Sequence, residues 1–440
     1  MLIRVDGPRS RVKHKLKFCF CVIALLVVLC QTNIYFISQA NPPAAIILVP
    51  GDGGSQAYAR PRDDPSNLFL LWVNLRYFVT PGTLFTYFGY YLILHLHHPS
   101  SLVYDPKTKT TSDGDTATIE FPGWGDTATV ENLDTYEHTK TEYFGPLVDK
   151  LSQLNPDFFQ RNRTIRGCPY DFRRAPNENK NFNSDLKELI EQTYINSGDR
   201  VILLGHSMGV IYSLHFLQSM SNSWKKSYLR AFVATSGPLA GAVKALRIEC
   251  SGDNLGVFIE SPLNYRPIQR SMPSTAFLIP DERVWGPDEM LVSTPSRNYS
   301  AHDYSDLFTD INFIQAYDMR MQARSEVDAL KAPTGVDELY CIYGSNVSTA
   351  ERMVYSPPSY FHAGFPDQQP TVEYGNGDGT VNERSLSICQ QWPNVKQLTL
   401  PQAEHLRILS DTRFIDFVTT IANAKKPISL IAGWWNSSFF

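Results

Sequence analysis

Basic charge is scarce once the first 40 residues are set aside. That stretch holds six of the 40 Lys and Arg but only one of the 44 Asp and Glu, so the remainder carries a net charge of −9. A balance of that sign gives a phosphate backbone nothing to bind, which argues against a nucleic-acid partner. Cysteine is scarce as well. There are seven, and Cys19, Cys21 and Cys30 lie in the N-terminal stretch. The other four, Cys168, Cys250, Cys341 and Cys389, fit no zinc-ligand spacing, and residues 41 to 167 contain none. Long apolar runs are missing too. Phe18 to Cys30 gives 13 apolar residues, short of the roughly 20 that a comfortable membrane span needs. The carboxylate periodicity of a calcium loop is absent around the one Asp-Gly turn that invites it, Asp378-Gly379. No cofactor or metal is therefore expected. The His95, His97 and His98 cluster has apolar flanks without a carboxylate and reads as a loop.

What the N-terminus does hold is a targeting pattern. Arg4, Arg9, Arg11, Lys13, Lys15 and Lys17 precede the apolar run, and Ser38-Gln39-Ala40 supplies small residues for a peptidase. Residues 1–40 are expected to be a cleaved secretory signal peptide, with an uncleaved anchor as the alternative. Four N-x-S/T sequons, at Asn162, Asn298, Asn346 and Asn436, suit glycosylated loops in the same compartment. An even number of remaining cysteines suits it too.

The chemistry centres on Gly205-His206-Ser207-Met208-Gly209. Val201 to Leu204 is a buried-strand run, and Val210 to Phe216 restarts at helical spacing. A G-x-S-x-G between strand and helix is the nucleophile elbow of an α/β-hydrolase. The turn exposes the serine hydroxyl and leaves the Met208 N–H free to donate to an oxyanion. Upstream, Ala44 to Val49 runs into Pro50-Gly51-Asp52-Gly53-Gly54. A glycine-rich loop after an early strand supplies the second oxyanion N–H in this architecture, here that of Asp52; Asp-Gly-Gly is otherwise an ordinary turn.

Phe182, Leu186, Leu189, Ile190 and Tyr194 form an amphipathic helix leading into the elbow strand, and Ala231 to Ser236 reads as the next strand. Such alternation points to a mostly parallel sheet. Asp171 with Arg173 and Arg174 reads as structural ion pairing. Leu68 to Tyr91 is rich in apolar and aromatic residues, serving either as a lipid-facing surface or as core helices. From Pro238 to about Lys331 the alternation breaks, at the place where hydrolases carry a lid. It resumes at Leu339 to Gly344 and continues through Gly377-Asp378-Gly379 and Val395 to Leu400. Ala403 to Leu406 then opens the last helix, with Leu406 among its apolar positions. The chain order Ser207, Asp378, His405 is that of a hydrolase triad, with His405 as base and Asp378 orienting its ring. Asp378 reads alternatively as an Asx turn.

With these motifs in place the chain resembles the lecithin:cholesterol acyltransferase family. The likeness rests on Ile47 to Asp52, Pro169 to Glu178, Gly205 to Gly209, Gly377 to Val381 and Glu404-His405, and it spans nearly all of the mature chain. Aspartate at position 52 is similar to the lysosomal phospholipase A2 branch, since the plasma branch has cysteine there. The resemblance implies an α/β-hydrolase core (41–64, 102–237 and 332–426), a membrane-binding insert at 65–101 and a lid over 238–331; residues 427–440, with Trp434-Trp435 and Phe439-Phe440, read separately as an apolar tail, either a frayed terminus or an aid to membrane contact. It implies calcium-independent release of a fatty acyl chain from glycerophospholipids at a membrane surface, with transfer to water or a lipid alcohol. It further implies a Cys341–Cys389 disulfide; whether Cys168 and Cys250 pair is left open. Departures lie in the insert, which lacks the family's early disulfide and differs over Tyr87 to Ser101. A further departure is Pro238-Leu239-Ala240-Gly241, where the lysosomal branch has Pro-Trp-Gly-Gly. The expected location is the lysosome, with an extracellular acyltransferase or a catalytically inactive lipid binder as alternatives.

Overall fold

Six short strands pair in parallel to make the central sheet. They are β1 (Ile46–Val49), β2 (Ile165–Gly167), β3 (Val201–His206), β4 (Leu229–Thr235), β5 (Glu338–Ser345) and β6 (Lys396–Pro401), arranged β6-β5-β4-β3-β1-β2. Every residue of β1, β3 and β4 is buried. Helices covering both faces of a parallel sheet demand that, which is why these strands read as unbroken apolar runs. The edge strand β6 is exposed or half-exposed except at Leu400 and carries Lys396, Gln397 and Thr399 among its six residues.

The computed structural model describes residues 43–72, 101–135, 141–254, 261–360 and 363–423. The expected signal peptide, residues 73–100 of the expected insert, the tail at 427–440 and the Asn436 sequon lie outside them. The chain divides into two units, residues 44–422, which hold the sheet and its helices, and the two chain ends.

Helix α1 (Gly145–Leu154) buries Leu147, Val148 and Leu151. Helix α2 (Phe182–Ser197) buries Phe182, Leu186, Leu189, Ile190 and Thr193, the face expected from their spacing, and stops at Gly198 in the left-handed conformation. Helix α3 (Met208–Ser219) is buried nearly all round. The chain leaves β1 for β2 on one side and returns to β3 on the other. Carboxyl ends of strands flanking such a reversal are where open α/β sheets place their ligands.

The start of the apolar insert is extended. Phe69–Trp72 pairs with Ala57–Pro61, which pairs with Ala117–Glu120, all antiparallel. A hairpin of Leu102–Asp105 and Thr110–Asp113 follows. The Arg173 guanidinium, almost fully buried, meets Asp113 and Asp171 at 2.7 Å each, while Arg174 meets Asp171 at 3.0 Å. The expected ion pairs thus exist and tie the hairpin to the 169–179 loop.

Beyond β4 lie five described helices between Val243 and Glu326, and all but Pro262–Arg270 contribute to a core around Leu246, Trp285, Leu307 and Phe308. Strands Val292–Ser293 and Asn298–Tyr299 join Val347–Val354 and Thr371–Gly377 in a four-stranded sheet, and Met353 and Tyr355 enter the same core. This layer therefore draws on chain beyond residue 331. Cys341 on β5 is bonded to Cys389, and Cys168 and Cys250 are separate, buried thiols. The last helix, α4 (Thr412–Ala422), starts later than its apolar pattern suggests. Its first turn begins after Asp411, whose carboxylate accepts the Arg413 N–H at 2.8 Å. Ahead of it lies a 3₁₀ turn over Arg407–Ser410, and Leu406 is 58% exposed rather than part of a core-facing stripe.

Two predictions follow from this packing. Closing a 48-residue loop, the Cys341–Cys389 bond should contribute about 4 kcal/mol through chain entropy, so denaturant unfolding of the Cys341→Ser, Cys389→Ser double variant should show a loss of that order. Glu249, on the helix Val243–Ser251, is fully buried, and neither carboxylate oxygen has a partner among the described residues. Burial pushes its pKa up to about 8, against the opposing pull of Arg270. Its folded-state pKa thus exceeds the ordinary 4.5, so its contribution is fully favourable below pH 4.5 and is lost as pH rises toward 8. Glu249→Gln mimics the neutral acid and should raise Tm progressively from pH 5 to pH 8. A Tm difference independent of pH would refute this.

Candidate active site

β3 ends in a backbone turn that few residues tolerate. Ser207 sits at φ 55°, ψ −129°, and its N–H donates to the Thr235 carbonyl of the neighbouring strand at 2.9 Å. This is a strained conformation for a residue with a Cβ, sustained by the strand pairing before it and the helix after it. Gly209 explains why the second glycine of the motif is required. A Cβ there would collide with the carbonyl oxygens of Val49 and Pro50, so α3 starts against the end of β1 only because Gly209 is bare.

The β1 loop meets the elbow from the other side. A Cβ on Gly51 would stand 2.5 Å from the Cβ of Ser207, so this approach also needs glycine. The Gly51 carbonyl accepts the Gly54 N–H at 3.0 Å, closing a tight turn. In a trans peptide the following N–H points the opposite way from the carbonyl, which turns the Asp52 N–H away from that turn. Among the described residues neither the Asp52 nor the Met208 N–H donates to another protein group. The Trp72 indole N–H holds the Gly53 carbonyl at 2.8 Å and bolts the loop to the three-stranded sheet.

His405 enters from the loop after β6. Its N–H donates to the Asp378 carbonyl at 2.8 Å, its Nδ1 lies 2.7 Å from Asp378 Oδ2, and its Nε2 lies 2.9 Å from Ser207 Oγ. Asp378 is fully buried, and its other oxygen accepts the N–H groups of Val381 at 2.8 Å and Thr380 at 3.1 Å. The Asx turn and the histidine contact are thus two halves of one carboxylate. Three side chains scattered over the sequence converge on a proton-transfer geometry.

Electrostatics single out Asp52. The outer side of the residue is open to solvent, yet crowding strips water from its carboxyl and pushes the pKa up to about 6, with Lys244 and the Gly53 N–H pulling the other way. His206, between the elbow glycine and the serine, is fully buried. Desolvation, reinforced by the charge of His405, pushes its pKa well below the usual histidine value. Its Nε2 lies 2.9 Å from the His405 carbonyl and its Nδ1 2.5 Å from the Tyr143 hydroxyl. The role of Tyr143 was not foreseen from sequence, because nothing about its neighbours marks it.

Of the remaining sequence-predicted positions, Asn162, Asn298 and Asn346 are exposed. The lecithin:cholesterol acyltransferase family model matches residues 94–335 and 321–412. A Rattus norvegicus protein named lysosomal phospholipase A and acyltransferase is 36% identical over 408 residues, covering 89% of this chain and 91% of the relative. Its Homo sapiens counterpart is 36% identical over 402 residues, covering 88% and 90%. The phosphatidylcholine-sterol acyltransferase of Mus musculus is 31% identical over 391 residues, covering 87% and 86%. With a parallel hydrolase sheet, a serine elbow at its switch point and likeness of this extent along nearly the whole length, the chain belongs to the lecithin:cholesterol acyltransferase family.

Proposed function

We propose that the protein is a calcium-independent serine phospholipase A and O-acyltransferase working through Ser207, His405 and Asp378. The observation that carries this reading is the His405 ring, set between the Ser207 hydroxyl and the Asp378 carboxylate. His405 Nε2 takes the hydroxyl proton as Ser207 Oγ attacks an acyl ester carbonyl of a glycerophospholipid. The negative charge that develops on the carbonyl oxygen is met by the Met208 and Asp52 N–H groups. Collapse of the tetrahedral intermediate expels the lysophospholipid alkoxide, which takes the proton from His405, and leaves an acyl ester on Ser207. Water or a lipid alcohol then gives its proton to His405 and attacks that ester, and the fatty acid or acylated alcohol departs as Ser207 recovers its proton. Asp378 keeps the Nδ1 proton in place and stabilises the imidazolium at each stage.

Residues 65–101 are assigned to membrane docking and 238–331 to a lid over the acyl chain. The exposed Asn162, Asn298 and Asn346, with Asn436, are assigned as glycan acceptors. An acidic compartment such as the lysosome suits Asp52. Below its pKa of about 6 the carboxyl is neutral, so no negative charge stands beside the developing oxyanion.

Fluorophosphonate should label Ser207 of the folded protein, and Ser207→Ala or His405→Ala should each lower turnover on phospholipid vesicles by roughly 10⁶. Product release undiminished by these changes, or abolished by EDTA in the wild type, would end this reading. Turnover should fall as pH rises through about 6, and Asp52→Asn should flatten that limb. An optimum near neutrality that survives in Asp52→Asn would point to the extracellular alternative.

A further inference from the structure

His206 does more than fill the second place of the elbow motif, and the hydrogen-bond directions around it are forced. The His405 carbonyl can only accept, so the proton of the neutral His206 ring must sit on Nε2. Nδ1 is then an acceptor, and the group 2.5 Å from it is the Tyr143 hydroxyl, which must therefore donate. The Tyr143 oxygen in turn accepts the Gly51 N–H at 2.9 Å. A single directed chain thus runs from the Gly51 N–H through Tyr143 and His206 to the backbone of His405. Every side chain in it is almost fully closed to solvent.

We infer that Tyr143 and His206 are positioning residues that lock the oxyanion loop and the base loop to each other through this buried chain. One end holds the N–H of the Pro50–Gly51 peptide, one residue before the Asp52 N–H that is the oxyanion donor of the reading above, on which this inference rests. The other end holds the main chain of the residue that moves the proton. The two loops follow β1 and β6, which lie four strands apart in the β6-β5-β4-β3-β1 order. The sheet alone therefore leaves their loops to be aligned by something else. Burial and the neighbouring His405 charge disfavour protonation of His206, so the chain keeps its direction in acid. The Tyr143 ring packs edge-on against Phe144 and His206, so removing the hydroxyl alone leaves the packing in place.

The test is a double-variant cycle of Tyr143→Phe and His206→Gln, with turnover expressed per serine titrated by fluorophosphonate. Gln retains a donor toward the His405 carbonyl, while its one acceptor, Oε1, sits on that same terminal amide and not at the Nδ1 position that faces Tyr143. Deleting an oxyanion donor costs about 10²–10³; displacing one should lower kcat per titrated site about tenfold or more, with KM within about twofold. Because both changes break the same chain, the double variant should be no slower than the slower single variant. A purely packing role would reduce the titratable fraction and Tm while leaving kcat per site at the wild-type value, and that result overturns the inference, as do losses that multiply in the double variant. The wild type offers a second measurement that needs no variant. Nitrogen-15 NMR should show His206 as the Nε2–H tautomer from pH 4 to pH 8, and an Nδ1–H or doubly protonated ring overturns the directed chain. Failure of wild-type Ser207 to react with fluorophosphonate would instead strike the acyl-enzyme reading and leave the tautomer result standing.

Discussion

A contact between two stretches of backbone sets the geometry of this molecule. Helix α3 begins so near the end of β1 that Gly209 rests on the Val49 and Pro50 carbonyls, and Gly51 returns the approach against Ser207. No side chain fits in that gap. Close approach lets one turn project the serine outward while the adjoining loop offers its amide from the opposite side. The strained conformation of Ser207 follows from the same constraint, because a relaxed turn would carry the helix away from the strand.

Three carboxyl groups, Asp378 and Glu249 buried and Asp52 crowded at the site, meet three different fates, each decided by its partners. Asp378 is satisfied on both oxygens, by two turn amides and by the His405 ring. Asp52 is crowded but half compensated by Lys244 and a backbone amide, and titrates in the mildly acidic range. Glu249 has no hydrogen-bond partner among the described residues and holds its proton to about pH 8.

The parallel core was legible because strands buried on both faces leave an unbroken apolar signature, as in Val201 to Leu204. The elbow was legible because the tight turn restricts which residues stand at 205 and 209. His405 was identifiable by its order after Ser207 and Asp378, but its surroundings were not. Leu406 and Leu409 carry a helical spacing, yet Leu406 faces solvent because the helix waits for Asp411. Phe69–Trp72 is an apolar run without periodicity, and only its pairing with Ala57–Pro61 makes it a strand. The helical layer after β4 was expected as an insertion ending near 331. Its core also takes Met353 and Tyr355, since a sheet joins strands distant in sequence.

Local chemistry along the chain was enough to determine the fold class and the serine elbow, because each depends on residues within a few positions of one another. The family followed from several such motifs in one order. What only the tertiary structure decided are relations across the sheet. These include the ring of His405 between two groups, the separate burial of Cys168 and Cys250, and the Gly51–Tyr143–His206–His405 chain. The reason is physical: a hydrogen bond spanning 92 residues of chain, as from Gly51 to Tyr143, leaves no periodicity in the sequence, and it exists only once packing has brought its ends together.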